Sequence, residues 1–151
     1  MTREEALLEF KSKMAGIEFM LGHGTCLGAY RDHALIEDDH DIDIWIFKNS
    51  LEDVEKVIDC PHRTLSWKHN QHTFMFEGYK FDLVFWQKAG DEYHLNFTDR
   101  PPDVLPARLA ETKPIEFLGE TFLIPKYTDE YLTYYYEDWR TKSDKPATIR
   151  K

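Results

Sequence analysis

The chain has no apolar run approaching the roughly 18 to 20 residues that cross a bilayer. Met1 to Phe10 is polar and Glu-bearing, without the hydrophobic centre of a signal peptide. Membrane spanning and export are therefore not expected, and a cytoplasmic location is. Cysteine is scarce too: Cys26 and Cys60 are the only two in 151 residues. They neither build a disulfide framework nor match a metal-binding spacing, and both read as buried thiols in a reducing compartment. Positive charge is the third shortage. Nineteen Lys and Arg stand against 28 Asp and Glu, a formal net charge of −9, which argues against holding a nucleic-acid backbone over a broad surface. A small anionic substrate arriving with its cation is compatible with that charge. The seven histidines, among them His33, His40, His62, His69 and His72, form no HExxH motif or Cys-His cluster. Zinc is disfavoured, and oxygen-rich ligands favour magnesium or manganese. There is no internal repeat and no low-complexity tract.

What is present is a core-forming composition and one concentrated acidic cluster. An apolar content of 42% in 151 residues fits one domain, 1–151, with a single sizeable core. Glu37, Asp38, Asp39, Asp41 and Asp43 then crowd into seven residues, a density that self-repulsion makes costly unless cations neutralise it. Asp41 and Asp43 open an Ile-rich run to Phe47 that reads as a buried strand. Two apart on a strand, they share a face roughly 6 to 7 Å apart at Cα. The intervening Ile42 faces the core and fixes them on a rigid element, a geometry suited to metal-assisted phosphoryl chemistry.

Around this strand the pattern predicts a small mixed sheet flanked by helices. Thr2 with Glu5 is a capping box for a helix from Arg3 to Ala15. Ile17 to Leu21 reads as a strand ending in Gly22-His23-Gly24, followed by a short helix over 25–30. Ser50 caps a helix carrying Leu51, Val54, Val57 and Ile58. Thr73–Phe76 and Lys80–Trp86 form a hairpin turning near Gly78, which puts Asp82 mid-strand. The stretch from Gln87 to Lys113 reads as connectors with one strand near Tyr93–Phe97. Ile115–Leu118 and Thr121–Ile124 make a second hairpin. A terminal helix is expected from Thr128 to about Trp139, with a frayed tail from Thr141.

Gly24-Thr25-Cys26-Leu27-Gly28-Ala29-Tyr30-Arg31, then Ile36 and Asp39-His40-Asp41-Ile42-Asp43, resemble the signature of the LicD and fukutin-like group of the nucleotidyltransferase-fold superfamily. Phe81-Asp82-Leu83-Val84-Phe85 is similar to the later strand that supplies that superfamily's third carboxylate. Pro125-Lys126-Tyr127 and the Tyr-rich run to Trp139 resemble the group's closing segment. Two positions depart from the pattern: Glu37-Asp38 replaces the usual Pro-Trp, and His40 stands where Asp is common.

The resemblance implies an α+β nucleotidyltransferase-like fold. It also implies magnesium-dependent transfer of a phosphate-linked group, such as phosphocholine or a polyol phosphate, from a nucleotide-diphosphate donor to a sugar hydroxyl. Asp41, Asp43 and Asp82 would be the catalytic metal ligands, with manganese as a substitute ion, and Asp82 could also accept the proton of the attacking hydroxyl. Gly24 and Thr25 would offer backbone N–H groups and a hydroxyl to the donor's phosphates, and Arg31 a fork of N–H donors.

Blander roles stand beside these. Arg31 could pair with Asp32 or Glu37 as an ion pair of little weight, and Asp82 could be an ordinary hydrogen-bonded strand residue. Tyr127, Tyr131, Tyr134, Tyr135, Tyr136 and Trp139 could stack on a base or cage a quaternary ammonium, but most suit core packing. The same carboxylates would equally serve transfer of a nucleoside monophosphate from a nucleoside triphosphate, or a non-catalytic domain that binds a divalent cation.

Overall fold

The structure is a computed structural model that describes residues 1–59, 70–142, 145 and 147–150, together with the backbone of 63 and 64. Cys60, His62 and His69 lie outside the described residues. Helix α1 spans Arg3–Lys13. Thr2 Oγ1 accepts the Glu5 N–H at 3.1 Å, and the Glu5 carboxylate accepts the Thr2 N–H at 2.9 Å, so the expected capping box starts the helix. It ends two residues early because Met14 turns back onto the Phe10 and Lys11 carbonyls and Gly16 takes φ +90°.

The expected strand over 17–21 contracts to β1, Met20–Leu21, followed by α2, His23–Leu27, and a π-helical turn, Gly28–Asp32. Next come β2, Asp41–Ile46, and α3, Leu51–Glu55, the latter capped by Ser50. Val57, expected on that helix, lies beyond it and is 40% exposed. The two-residue β3, Arg63–Thr64, precedes the expected hairpin of β4, Gln71–Phe76, and β5, Tyr79–Phe85, with φ +84° at Gly78 in the turn.

The stretch expected to carry one strand folds into three: β6, Gln87–Ala89, β7, Glu92–Leu95, and β8, Asp103–Pro106, form an antiparallel sheet before the short α4, Ala107–Ala110. The second hairpin is β9, Thr112–Phe117, with β10, Glu120–Pro125, and α5 covers Thr128–Tyr135. Helix α5 stops four residues short of Trp139 because Tyr136 turns extended and bridges to Ile149. Residues 148–150, expected in a frayed tail, are therefore paired. Glu137 N–H donates to the Thr148 carbonyl and Arg150 N–H to that of Tyr135.

The main sheet runs β1-β2-β5-β4-β3, with β2 and β5 parallel and the other neighbours antiparallel. Strand periodicity divides its two faces chemically. Ile42, Ile44, Phe74, Phe81 and Leu83 share one face and are buried. Phe10 of α1 lies on that face, its ring stacked 4.9 Å from Phe81 and edge-on to Phe76 at 6.0 Å. The other face carries Asp41, Asp43 and Trp45 from β2, and Asp82 and Val84 from β5. Its aromatic end is covered by α5, where Tyr131 meets Trp45 at 5.4 Å.

Since Phe10 is fully buried between α1 and the sheet, Phe10→Ala should lower unfolding free energy by about 3–5 kcal/mol. Urea denaturation followed by circular dichroism checks this, the expected signature being a lower midpoint at an unchanged slope.

Candidate active site

Parallel pairing sets Asp43 opposite Asp82 and Asp41 opposite Lys80. Neighbouring strands lie about 4.8 Å apart, so two carboxylates stand side by side on one face. Thr73 is the next residue in the same row, opposite Asp82 on β4, and its hydroxyl donates to Asp82 Oδ1 at 2.5 Å. Asp82 is 6% exposed. Lys80 reaches Asp41 at 3.5 Å, but both side chains are more than a third exposed, so this pair carries little energy.

Asp39 adds a fourth carboxylate, outside the expected ligand set of Asp41, Asp43 and Asp82. It precedes the strand, yet positions 39, 41 and 43 share parity, and that alternation is the signal that could have found it. Its placement is enforced. Arg3 donates to the carbonyls of Ile36 and Asp39, the Asp39 N–H returns to Ile36, and the Asp39 carboxylate accepts the Asp41 N–H at 3.2 Å. The carboxylate rests directly over Gly24, where any Cβ would collide with it. Gly24 is thus required by a close approach.

Asp39, Asp41, Asp43, Asp82 and Gly24 line one cavity of about 350 Å³. Its far end is aromatic and apolar, with Trp45, Trp86, Phe97 and Tyr135, and with Arg100 and Asp103 at the rim. The indole N–H groups of Trp45 and Trp86 are buried without a hydrogen-bond partner among the described residues, and such donors cost about 1–3 kcal/mol when left unmet.

The electrostatics are those of an under-neutralised acid cluster. Burial, followed by the charges of Asp39, Asp82 and Asp41, pushes the Asp43 carboxyl well above the ordinary carboxylate range, and only Lys80 opposes. Burial also raises Asp39. The Tyr136 hydroxyl, which lines the same cavity, is raised by burial and by Asp43 and Asp39, so it keeps its proton as a donor beside them. Among the described residues, no three Asp, Glu, His or Cys side chains already converge in metal-ligand positions.

Two expected donor-binding residues take other positions. Thr25 is 2% exposed and does not line the cavity. Its hydroxyl accepts the Asp43 N–H at 2.9 Å, which ties α2 to the acidic strand. Arg31 is likewise absent from the cavity lining. Its guanidinium engages Asp32 and the carbonyls of Trp139 and Thr141. The expected pairing with Asp32 is present, and it is buried rather than exposed. The guanidinium expected to face the donor's phosphate is thus placed against these groups, outside the cavity lining. His33 and His40 are exposed, away from the core, and Cys26 is a free buried thiol.

This mixed sheet with paired acidic strands is a nucleotidyltransferase fold, and solved structures share it. TM1012 from Thermotoga maritima, described as a nucleotidyltransferase, is 15% identical with a TM-score of 0.55, over 89% of this chain and 85% of that one. The lincosamide antibiotic adenylyltransferase LnuA, in its lincomycin-bound structure, is 12% identical with a TM-score of 0.60 over 89% and 85%. ANT(2")-Ia, in complex with adenylyl-2"-tobramycin, is 12% identical with a TM-score of 0.57 over 89% and 76%. No curated protein matches by sequence. The family profile "LicD/FKTN/FKRP, nucleotidyltransferase domain" matches residues 16–107. The chain belongs to that family.

Asp43 also generates a pH signature. A carboxyl whose folded pKa is raised stabilises the fold while protonated and loses that contribution as pH rises through the folded value. In EDTA, Asp43→Asn should therefore match wild type near pH 4. It should become the more stable protein as pH rises and Asp43 ionises. Thermal melts of both proteins from pH 4 to 8 measure the difference; a constant gap across that range would contradict the assignment.

Proposed function

We propose that this chain is a divalent-metal-dependent transferase. It would move a phosphate-linked group, of phosphocholine or polyol-phosphate type, from a nucleotide-diphosphate donor to a hydroxyl acceptor such as a sugar. Family and fold support a nucleotide-related transferase. The observation that carries the metal-dependent reading is the row of Asp43 beside the buried Asp82, flanked by Asp41 and Asp39, in which carboxylates outnumber the cations facing them. A cluster of oxygen donors with surplus negative charge fits magnesium or manganese better than softer metals. Asp41 and Asp43, joined by Asp82 or Asp39, would hold the ion.

When bound, a divalent ion supplies charge neutralisation for phosphate oxygens and favours the ionised form of a nearby hydroxyl. The chain's own residues supply the rest. Asp82, fixed by the Thr73 hydroxyl, is suited to accept the proton of the attacking hydroxyl. The Tyr136 hydroxyl can donate to a phosphate oxygen. The aromatic end of the cavity offers faces for the donor's organic group, and the indole N–H groups of Trp45 and Trp86 await an acceptor.

A second reading, transfer of a nucleoside monophosphate onto a hydroxyl, draws support from the adenylyl-2"-tobramycin complex of ANT(2")-Ia. Incubation with magnesium and labelled CTP, ATP or CDP-choline separates the two. Label from the choline moiety appearing on an acceptor supports the first reading, and nucleotide label on an acceptor supports the second. A protein that binds the metal without any turnover is a non-catalytic metal-binding domain.

Two outcomes are expected. Asp82→Asn should lower turnover by about 10²–10⁴-fold, the usual contribution of a positioned base, as measured by initial rates with the labelled donor. Magnesium at about 100 times its Kd should stabilise the fold by about 2.7 kcal/mol relative to EDTA. That amounts to a Tm rise of about 5–10 °C, and the rise should vanish in Asp41→Asn/Asp43→Asn; differential scanning calorimetry checks it.

A further inference from the structure

The glycine-rich motif ends in a guanidinium that does not line the acidic cavity. Arg31 and Asp32 side chains are each 7% exposed. Arg31 Nε and Nη2 donate to the two Asp32 carboxylate oxygens at 2.8 Å each, while Nη1 donates to the Trp139 carbonyl at 2.9 Å and that of Thr141 at 3.2 Å. One planar fork thus joins a carboxylate to two carbonyls of the segment that leaves α5, a geometry lysine cannot reproduce.

That segment begins a return path. Glu137 N–H donates to the Thr148 carbonyl at 3.0 Å, Arg150 N–H to that of Tyr135 at 2.8 Å, and Arg150 Nε to that of Thr133 at 2.7 Å. Tyr136 and Ile149 form an antiparallel bridge. As a result Ala147 and Ile149 line the same cavity as Asp39, Asp43 and Asp82. Ile149 is nevertheless 53% exposed, leaving a large apolar side chain open at the rim, where a ligand would cover it.

We propose that Arg31 is a positioning residue that fastens residues 147–150 as the outer wall of the acidic cavity, so that Ile149 packs against the organic group of the bound nucleotide donor. Arg31 then acts on ligand binding through the wall it holds and leaves the carboxylate cluster unaltered. The ligand half of this inference rests on the donor-binding reading of the cavity, whereas the fastening half does not.

The full chain is compared with Arg31→Lys and Ile149→Ala. Asp32→Asn serves as a milder second variant that keeps side-chain shape while weakening the grip on the guanidinium. Three quantities are read: amide hydrogen exchange at Glu137 and Arg150, affinity for Mn²⁺ alone, and affinity for CDP-choline, CTP and ATP in the presence of Mn²⁺. In Arg31→Lys, exchange at both amides should accelerate at least tenfold. Mn²⁺ affinity should stay within twofold, and the nucleotide that wild type binds best should bind at least fivefold more weakly. Asp32→Asn should move the same quantities in the same directions by less. Ile149→Ala should leave exchange and Mn²⁺ affinity unchanged and weaken that nucleotide at least threefold.

Unaltered exchange in both Arg31→Lys and Asp32→Asn would overturn the fastening role. Accelerated exchange with unaltered nucleotide affinity, in variants that still bind Mn²⁺, would overturn the wall. A wild-type protein that binds none of the three nucleotides would sink the donor reading and the ligand contact together, while the exchange data would still decide on fastening.

Discussion

The parallel pairing of β2 with β5 is the constraint on which the site depends. Register alone decides that Asp43 faces Asp82 and not an aliphatic neighbour, because a slip of β5 by one residue would carry Asp82 to the apolar face and leave Asp43 without it. Two like charges beside each other on buried strands oppose the pairing that brings them together. The opposition is overcome on the reverse face, where Ile42, Ile44, Phe81 and Leu83 are buried and Phe81 stacks on Phe10 of α1. Apolar burial on one side of the sheet holds electrostatic repulsion in place on the other.

The surroundings of the carboxylates act as struts. Thr25 binds the Asp43 amide, Thr73 orients Asp82, and Arg3 clamps the carbonyl of Asp39. Gly22 and Gly24 allow close approach on the same side of the sheet: a Cβ on Gly22 would meet the Trp45 indole, and one on Gly24 the Asp39 carboxylate. Each strut fixes an acidic side chain or its backbone before any ligand arrives, which is what preorganisation means in physical terms.

Much of this was legible in the sequence because it is local or periodic. Capping residues marked the starts of α1 and α3, Gly78 marked the β4–β5 turn, and alternation placed Asp41, Asp43 and Asp82 on strand faces. The fold class and the family followed from the same residues. What escaped depends on contacts distant in sequence. Arg31 meets Trp139 across 108 positions, and no spacing rule near Arg31 announces that partner. The strands between Gln87 and Pro106 are short, broken by Gly90 and by Pro101 and Pro102, and form by pairing with one another more than by periodicity. Helix α5 was read too long because Tyr136 and the residues after it suit a helical stripe, while the return of Ile149 gives Tyr136 an extended partner instead. Asp39 is in phase with Asp41 and Asp43 but lies outside the strand, and its seat over Gly24 is a contact that parity does not report.

The division of labour between sheet and periphery has an evolutionary consequence. Asp41, Asp43 and Asp82 stand on the central strands, whereas Arg100, Asp103, Ala147 and Ile149 at the cavity mouth hang on segments outside the main sheet. Substitutions at the mouth can accumulate without disturbing β2–β5 register or the α1 interface. A lineage built on this scaffold is free to explore new molecules while inheriting its reaction chemistry unchanged.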